Sequence, residues 1–195
     1  MTLRSTILAG TLALIIGIPL AAAQVTTQSD VPPPVYRTSA IPQGVLTRGQ
    51  FIDVLATRLF DVDSHNTCFR ELVGYQAPAY TLLFSDVSLD HPIASSVCVM
   101  MKSHLVRGSS NMLYPNQRIT AAEVAAVFSR LATSIPNPEK NEVWYQRYME
   151  TMHSIDPQFN FRPWDTITGS DLSKMMCALK QMTPELDPQG ELTGC

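Results

Sequence analysis

Three segments of the 195-residue chain open in the same way, and an internal repeat constrains a fold more tightly than composition does. They are LTRGQFIDVLATRLF from Leu46, ITAAEVAAVFSRLAT from Ile119 and ITGSDLSKMMCALKQ from Ile167. Aligned on those first residues, each places threonine next and apolar residues five, eight and nine positions on: Phe51, Val54 and Leu55; Val124, Val127 and Phe128; Leu172, Met175 and Met176. Steps of three and four put these on one stripe of a 3.6-residue helix. Thr47 with Gln50 and Thr120 with Glu123 read as capping boxes, in which threonine accepts from the third helical N–H and the Glu or Gln reaches back to the threonine N–H; Thr168 with Asp171 is a shorter version. Each cap contributes about 1 kcal/mol.

A second helix is expected before each of the later two copies. After Asp90, read as its N-cap, Ile93, Val97, Met101 and Leu105 share a stripe, and Gly108 behind Arg107 reads as its stop. Further on, Trp144 or Tyr145, Tyr148, Met152 and Ile155 form another stripe. The turns between them hold Pro115 and Pro163, each five residues before its capping threonine. Ile119 and Ile167 are 48 residues apart and Leu46 and Ile119 are 73 apart, so the first interval carries an insertion around Cys68. The resulting map is a signal peptide at 1–23, a flexible leader at 24–44, a partial first repeat with the Cys68 insertion at 45–83, a second repeat at 84–133, a third at 134–182 and a tail at 183–195.

Residues 1–23 carry Arg4, an apolar run from Ile7 to Leu20 and then Ala21, Ala22 and Ala23, the pattern of a secretory signal peptide cut before Gln24. An uncleaved anchor is the alternative, since about 20 apolar residues span a bilayer. Export makes Cys68, Cys98, Cys177 and Cys195 disulfide candidates rather than metal ligands. Of three connectivities, pairing each with its neighbour in sequence, Cys68 with Cys98 and Cys177 with Cys195, is expected. A formal net charge of −3 gives no electrostatic footprint for a nucleic acid.

Signs of chemistry are sparse. Asp61, Asp63 and His65 begin like a calcium loop, but Asn66 stands where the sharp turn needs glycine and Leu72 where a bidentate glutamate is needed. His65, His91, His104 and His153 are scattered without ligand spacing, and no nucleophile or phosphate-loop motif occurs. No catalytic residue, metal or cofactor is therefore expected.

The second repeat, with Phe84, Ser85, Asp86 and Val87, then His91, Gly108, Pro115 and Ile119 to Glu123, resembles the S-layer homology repeat of bacterial cell-surface proteins. The third keeps WYQRYM from Trp144, Phe161, Pro163 and ITGSD, and the first keeps only its capping half. The resemblance covers about residues 44–182. It implies an all-α fold of helix-loop-helix repeats packed as a pseudo-threefold bundle, whose grooves hold anionic cell-wall polysaccharide through the arginine of the helix-start motif. That arginine matches only at Arg48; Ala121 and Gly169 stand at the equivalent positions. Arginine in a first helical turn opposes the helix dipole, so an anion recruited to the helix start would account for it. The expected sugar-binding set is Arg48 with Thr47, Gln50 and Trp144. Against this, Arg48 as a solvated surface residue, Trp144 as core and Trp164 as a turn cover are the plainer readings. The expected partner is cell-wall polysaccharide or another envelope protein, with no membrane contact after cleavage, and an oligomer could complete the first repeat.

Overall fold

A computed structural model describes residues 40–73, 82–132 and 142–182. The signal segment, residues 24–39 of the leader and the tail with Cys195 lie outside the described residues. The described part is mostly helical: α1 (Arg48–Leu59), α2 (Val62–Val73), α3 (Ala94–Lys102), α4 (Ala121–Ala132), α5 (Gln146–Ile155) and α6 (Gly169–Met182), with one antiparallel hairpin of β1 (Leu82–Phe84) and β2 (Val87–Ser88). Among these residues no helix is long and apolar enough to cross a membrane.

The three repeated segments form α1, α4 and α6, and all nine stripe residues are buried in one core. Phe51 and Phe128, both fully buried, meet with ring centroids 6.4 Å apart. Each such side chain contributes about 1.5–3 kcal/mol by leaving water. All three caps form as expected. Gln50 N–H donates to Thr47 Oγ1 at 3.2 Å while Thr47 N–H donates to Gln50 Oε1 at 2.9 Å. Thr120 with Glu123 and Thr168 with Asp171 repeat the exchange.

What joins the three is a closed circuit of backbone hydrogen bonds. Leu46 N–H donates to the Ile167 carbonyl at 2.9 Å, Ile119 N–H to Leu46 at 3.0 Å and Ile167 N–H to Ile119 at 3.4 Å. A second circuit runs in the other sense, from Arg48 N–H to the Gln117 carbonyl (2.7 Å), Ala121 to Asp165 (2.8 Å) and Gly169 to Gly44 (3.0 Å). The second helical N–H of α1 and of α4 donates to a proline carbonyl, Gly49 to Pro115 at 2.8 Å and Ala122 to Pro163 at 2.9 Å. A helix leaves its first N–H groups without internal partners. Here threonine takes one and the neighbouring copy's proline turn takes two, which explains why proline, threonine and acid or amide recur at fixed offsets.

Several local expectations are corrected. The mostly helical fold carries one small addition that the repeats do not imply, the short hairpin turned by Ser85 and Asp86. The Cys68 insertion contains α2, started by Asp61, whose carboxylate accepts from Ser64 N–H at 2.6 Å. Asp90 does not cap α3: its carboxylate takes the Ser88 hydroxyl, and Ile93 occupies the cap without a side-chain bond. The helix ends at Lys102, six residues before Gly108. Leu105 N–H returns to the Met100 carbonyl and His104 N–H to Met101, a Schellman closure with His104 at φ 58° in the left-handed place where glycine is usual. Gly108 instead makes room for Phe84, whose ring would lie 2.4 Å from an added Cβ.

The expected Cys68–Cys98 disulfide is present and fastens α2 to α3. Cys195, expected partner of Cys177, lies outside the described residues. Close by, His65 is 1 % exposed, its Nε2 is 3.3 Å from the Ala56 carbonyl, and its ring stands edge-on to Phe60. Burial lowers its pKa below the ordinary imidazole value, against the opposing pull of the Ala56 carbonyl, Asp53 and Asp61.

Two predictions follow from the packing. A Cβ at Gly169 would lie 1.6 Å from the Pro42 carbonyl oxygen, so Gly169→Ala must displace the segment that closes the circuit. We expect a loss above about 2 kcal/mol in chemical denaturation. Because His65 is held neutral in the fold and is free to protonate when unfolded, stability is complete above the unfolded pKa of about 6.5 and falls as pH drops below it. The denaturation midpoint should decline from pH 7.5 to 5.5, and His65→Gln should flatten that decline.

Candidate functional site

Arg48, two residues after Leu46, is the first residue of α1, and its side chain crosses from the first copy to the second. The guanidinium pairs with Glu123, donates to the Leu113 carbonyl and lies 5.9 Å from the centroid of the Tyr114 ring. The pair is partly buried, with side chains 19 % and 27 % exposed. Glu123 has two duties, since its other oxygen accepts the Thr120 N–H at 3.0 Å to cap α4. The plainer reading of Arg48 as a solvated residue is therefore replaced by an internal ion pair that ties one copy to the next.

The loop carrying Leu113 and Tyr114 is itself clamped. Asp86 accepts both their N–H groups, at 2.8 and 2.6 Å, and Tyr114 takes a φ of 57°. A non-glycine residue in that region costs free energy and persists only where its surroundings over-determine it. Ser85 adds two bonds from its N–H and hydroxyl to the Asn111 carbonyl, both 2.8 Å. The Phe84 to Val87 motif thus shapes the 108–114 loop: phenylalanine on Gly108, serine on Asn111, aspartate under Tyr114, valine in the core.

That loop is one wall of a groove of about 480 Å³ in which Arg48, Arg107, Tyr114, Glu123, Arg130 and Trp144 meet. Ala126 and Val127 of α4 contribute an apolar floor. Among the described residues the lining holds three arginines and one glutamate. Arg130 is held by uncharged groups: its Nη1 donates to the Leu105 carbonyl at 2.8 Å, its Nη2 to the Tyr148 hydroxyl at 3.3 Å, and its guanidinium lies 5.1 Å from that ring's centroid. Its positive charge adds to the groove, whereas the charge of Arg48 is largely met by Glu123. Trp144 is 41 % exposed and stands at the rim rather than in the core.

Of the four expected sugar-binding residues, Arg48 and Trp144 come together in this groove. Thr47 and Gln50 are engaged with each other as the α1 cap. The helix starts offer little to an anion through their backbone, because neighbouring carbonyls occupy the first N–H groups of α1 and α4. Any acid in the groove is met by side chains instead. Sequence reasoning missed Arg107, Tyr114 and Arg130. The last was within reach, since Glu123, Ala126, Val127 and Arg130 lie on one helical face.

The inter-copy pair is testable by a double-mutant cycle. Arg48→Ala and Glu123→Ala should each destabilise the protein, with a coupling of about 1–2 kcal/mol between them in urea unfolding. Glu123→Gln should keep the cap and lose most of the coupling.

No family model matches the chain and no curated protein matches it significantly.

Proposed function

We propose that this chain is a secreted, non-catalytic cell-envelope protein that holds an anionic cell-wall polysaccharide in the groove between its first and second repeats. In this reading the repeats are of the S-layer homology type and pack as a pseudo-threefold bundle, a packing supported by the two closed circuits of backbone bonds among equivalent residues. Export through residues 1–23 places the protein in the envelope, and the binding needs no cofactor. The observation that carries the reading is the groove itself: a partly apolar concavity lined by arginines, with Arg130 held by uncharged groups and an exposed tryptophan on the rim. Guanidinium groups recognise carboxylate or phosphate bidentately, and an aromatic face suits the C–H side of a sugar ring because its π-cloud is negative. In the proposed complex Arg130 meets the acid, Trp144 packs on the ring, and Arg48 fixes the wall through its pair with Glu123.

The Arg48–Glu123 pair favours a second reading, in which the repeats serve as an assembly module that binds another envelope protein. Retention on isolated sacculi, before and after the acidic polysaccharide is extracted, separates the two. We expect retention to be lost with the polysaccharide. Trp144→Ala should lower affinity roughly tenfold, about 1.4 kcal/mol, at unchanged thermal stability. Binding that survives extraction and ignores Trp144 would turn the assignment to the assembly reading.

A further inference from the structure

Beyond the groove, an aromatic run extends from the core to the surface. Trp164 is 62 % exposed, the most exposed of the large apolar side chains among the described residues. Its ring meets Tyr145 edge-to-face at 5.3 Å and 77°, and Tyr145 meets Trp144 likewise at 5.7 Å and 86°. Trp144 then leans on Tyr148 at 6.5 Å, and Tyr148 is the ring beneath Arg130. A continuous path of rings therefore leads from the groove's arginine to a tryptophan in water.

Trp164 is also held in place. The carbonyls on either side of it, Pro163 and Asp165, accept the Ala122 and Ala121 N–H groups at 2.9 and 2.8 Å, while Asp165 N–H donates to the Arg162 carbonyl and the Asp165 carboxylate accepts from Arg162 N–H. The matching turn between the first and second copies makes the same bonds from Pro115 and Gln117 with Asn116 in the middle. The turn's backbone bonds thus require no aromatic residue at this position. A ring carried on a fixed backbone and seated against Tyr145 binds at a reduced ordering cost.

Resting on the polysaccharide reading above, we infer that Trp164 and Tyr145 form a second subsite continuous with the groove, so that the protein recognises a chain of several sugar rings. The acidic unit lies against the arginines and a following ring packs on Trp164. Positive charge at one end and open aromatic faces along the path match a polymer whose units are both charged and amphipathic. A purely apolar partner would leave the arginines unmatched, and a small anion would leave the rings in water.

The test uses the full chain and acidic oligosaccharides released by mild acid from the producing cell's sacculi, fractionated by length and titrated calorimetrically. Affinity should rise about tenfold from the shortest binding fragment to longer ones. Trp164→Ala should abolish that rise and leave the shortest fragment's affinity unchanged, Trp164→Phe should keep part of it, and Trp144→Ala should weaken every length. Thermal unfolding of each variant guards against misfolding, and Trp164 is exposed enough for its loss to be tolerated. Affinity independent of length, or a Trp164→Ala profile like that of the wild type, overturns the second subsite while sparing the groove. No binding by any fragment removes the polysaccharide reading and the subsite together. Capture of an envelope protein that is lost with Trp164→Ala, with no sugar bound, makes the run a protein-docking surface instead.

Discussion

The interaction on which the rest depends is the ring of backbone hydrogen bonds among Leu46, Ile119 and Ile167. These three side chains are buried, so their peptide groups have no water to return to. Each N–H is satisfied only by another copy's carbonyl. Removing one segment strands donors and acceptors in both of the others, which makes the three starts mutually dependent. Helices of 12 to 14 residues, marginal on their own, are in this way fixed at their N-termini before any side-chain packing is counted.

The same ring decides what may stand beside each threonine. In the third copy the position is Gly169, with the Pro42 carbonyl where a side chain would begin. In the second it is Ala121, fully buried, where a guanidinium would have no solvent. Only at Arg48 does the neighbouring copy leave space, and Glu123 and the Leu113 carbonyl fill it with partners. The uneven distribution of arginine among three nearly identical openings follows from crowding rather than from three independent binding sites, of which two decayed.

Local features were legible in the sequence and distant ones were not. The caps at Thr47, Thr120 and Thr168 and the buried faces behind them are written within one or two helical turns, so spacing alone finds them. The α2 helix was obscured because Asp61, Asp63 and His65 first suggest a loop, although Asp61 is an ordinary N-cap. Gly108 looked like a helix stop because glycine so often is one, and its actual partner is Phe84, 24 residues earlier in the chain. Arg48 is the sharpest case: an exposed-looking cation opposing a helix dipole suggests a ligand, and its acid lies 75 residues away. The groove's charge was hidden for the same reason, since Arg107 and Arg130 reach it from separate segments.

Under the proposed function, these facts move the weight of recognition away from the motif and toward the walls around it. A helix start whose N–H groups are already bonded is a poor anion trap, and an arginine already paired loses part of its attraction for a second acid. What the pair supplies is rigidity: with Arg48 joined to Glu123, Glu123 to Thr120, and Asp86 beneath Tyr114, the groove wall does not have to be ordered when a ligand arrives. In the proposed complex the charge left to act is that of Arg130, held by uncharged groups, and the contact area left to fill is aromatic. Specificity in the proposed site belongs to whatever satisfies both along one path, from Arg130 through Trp144 to Trp164, and not to the capping threonine and paired arginine of α1.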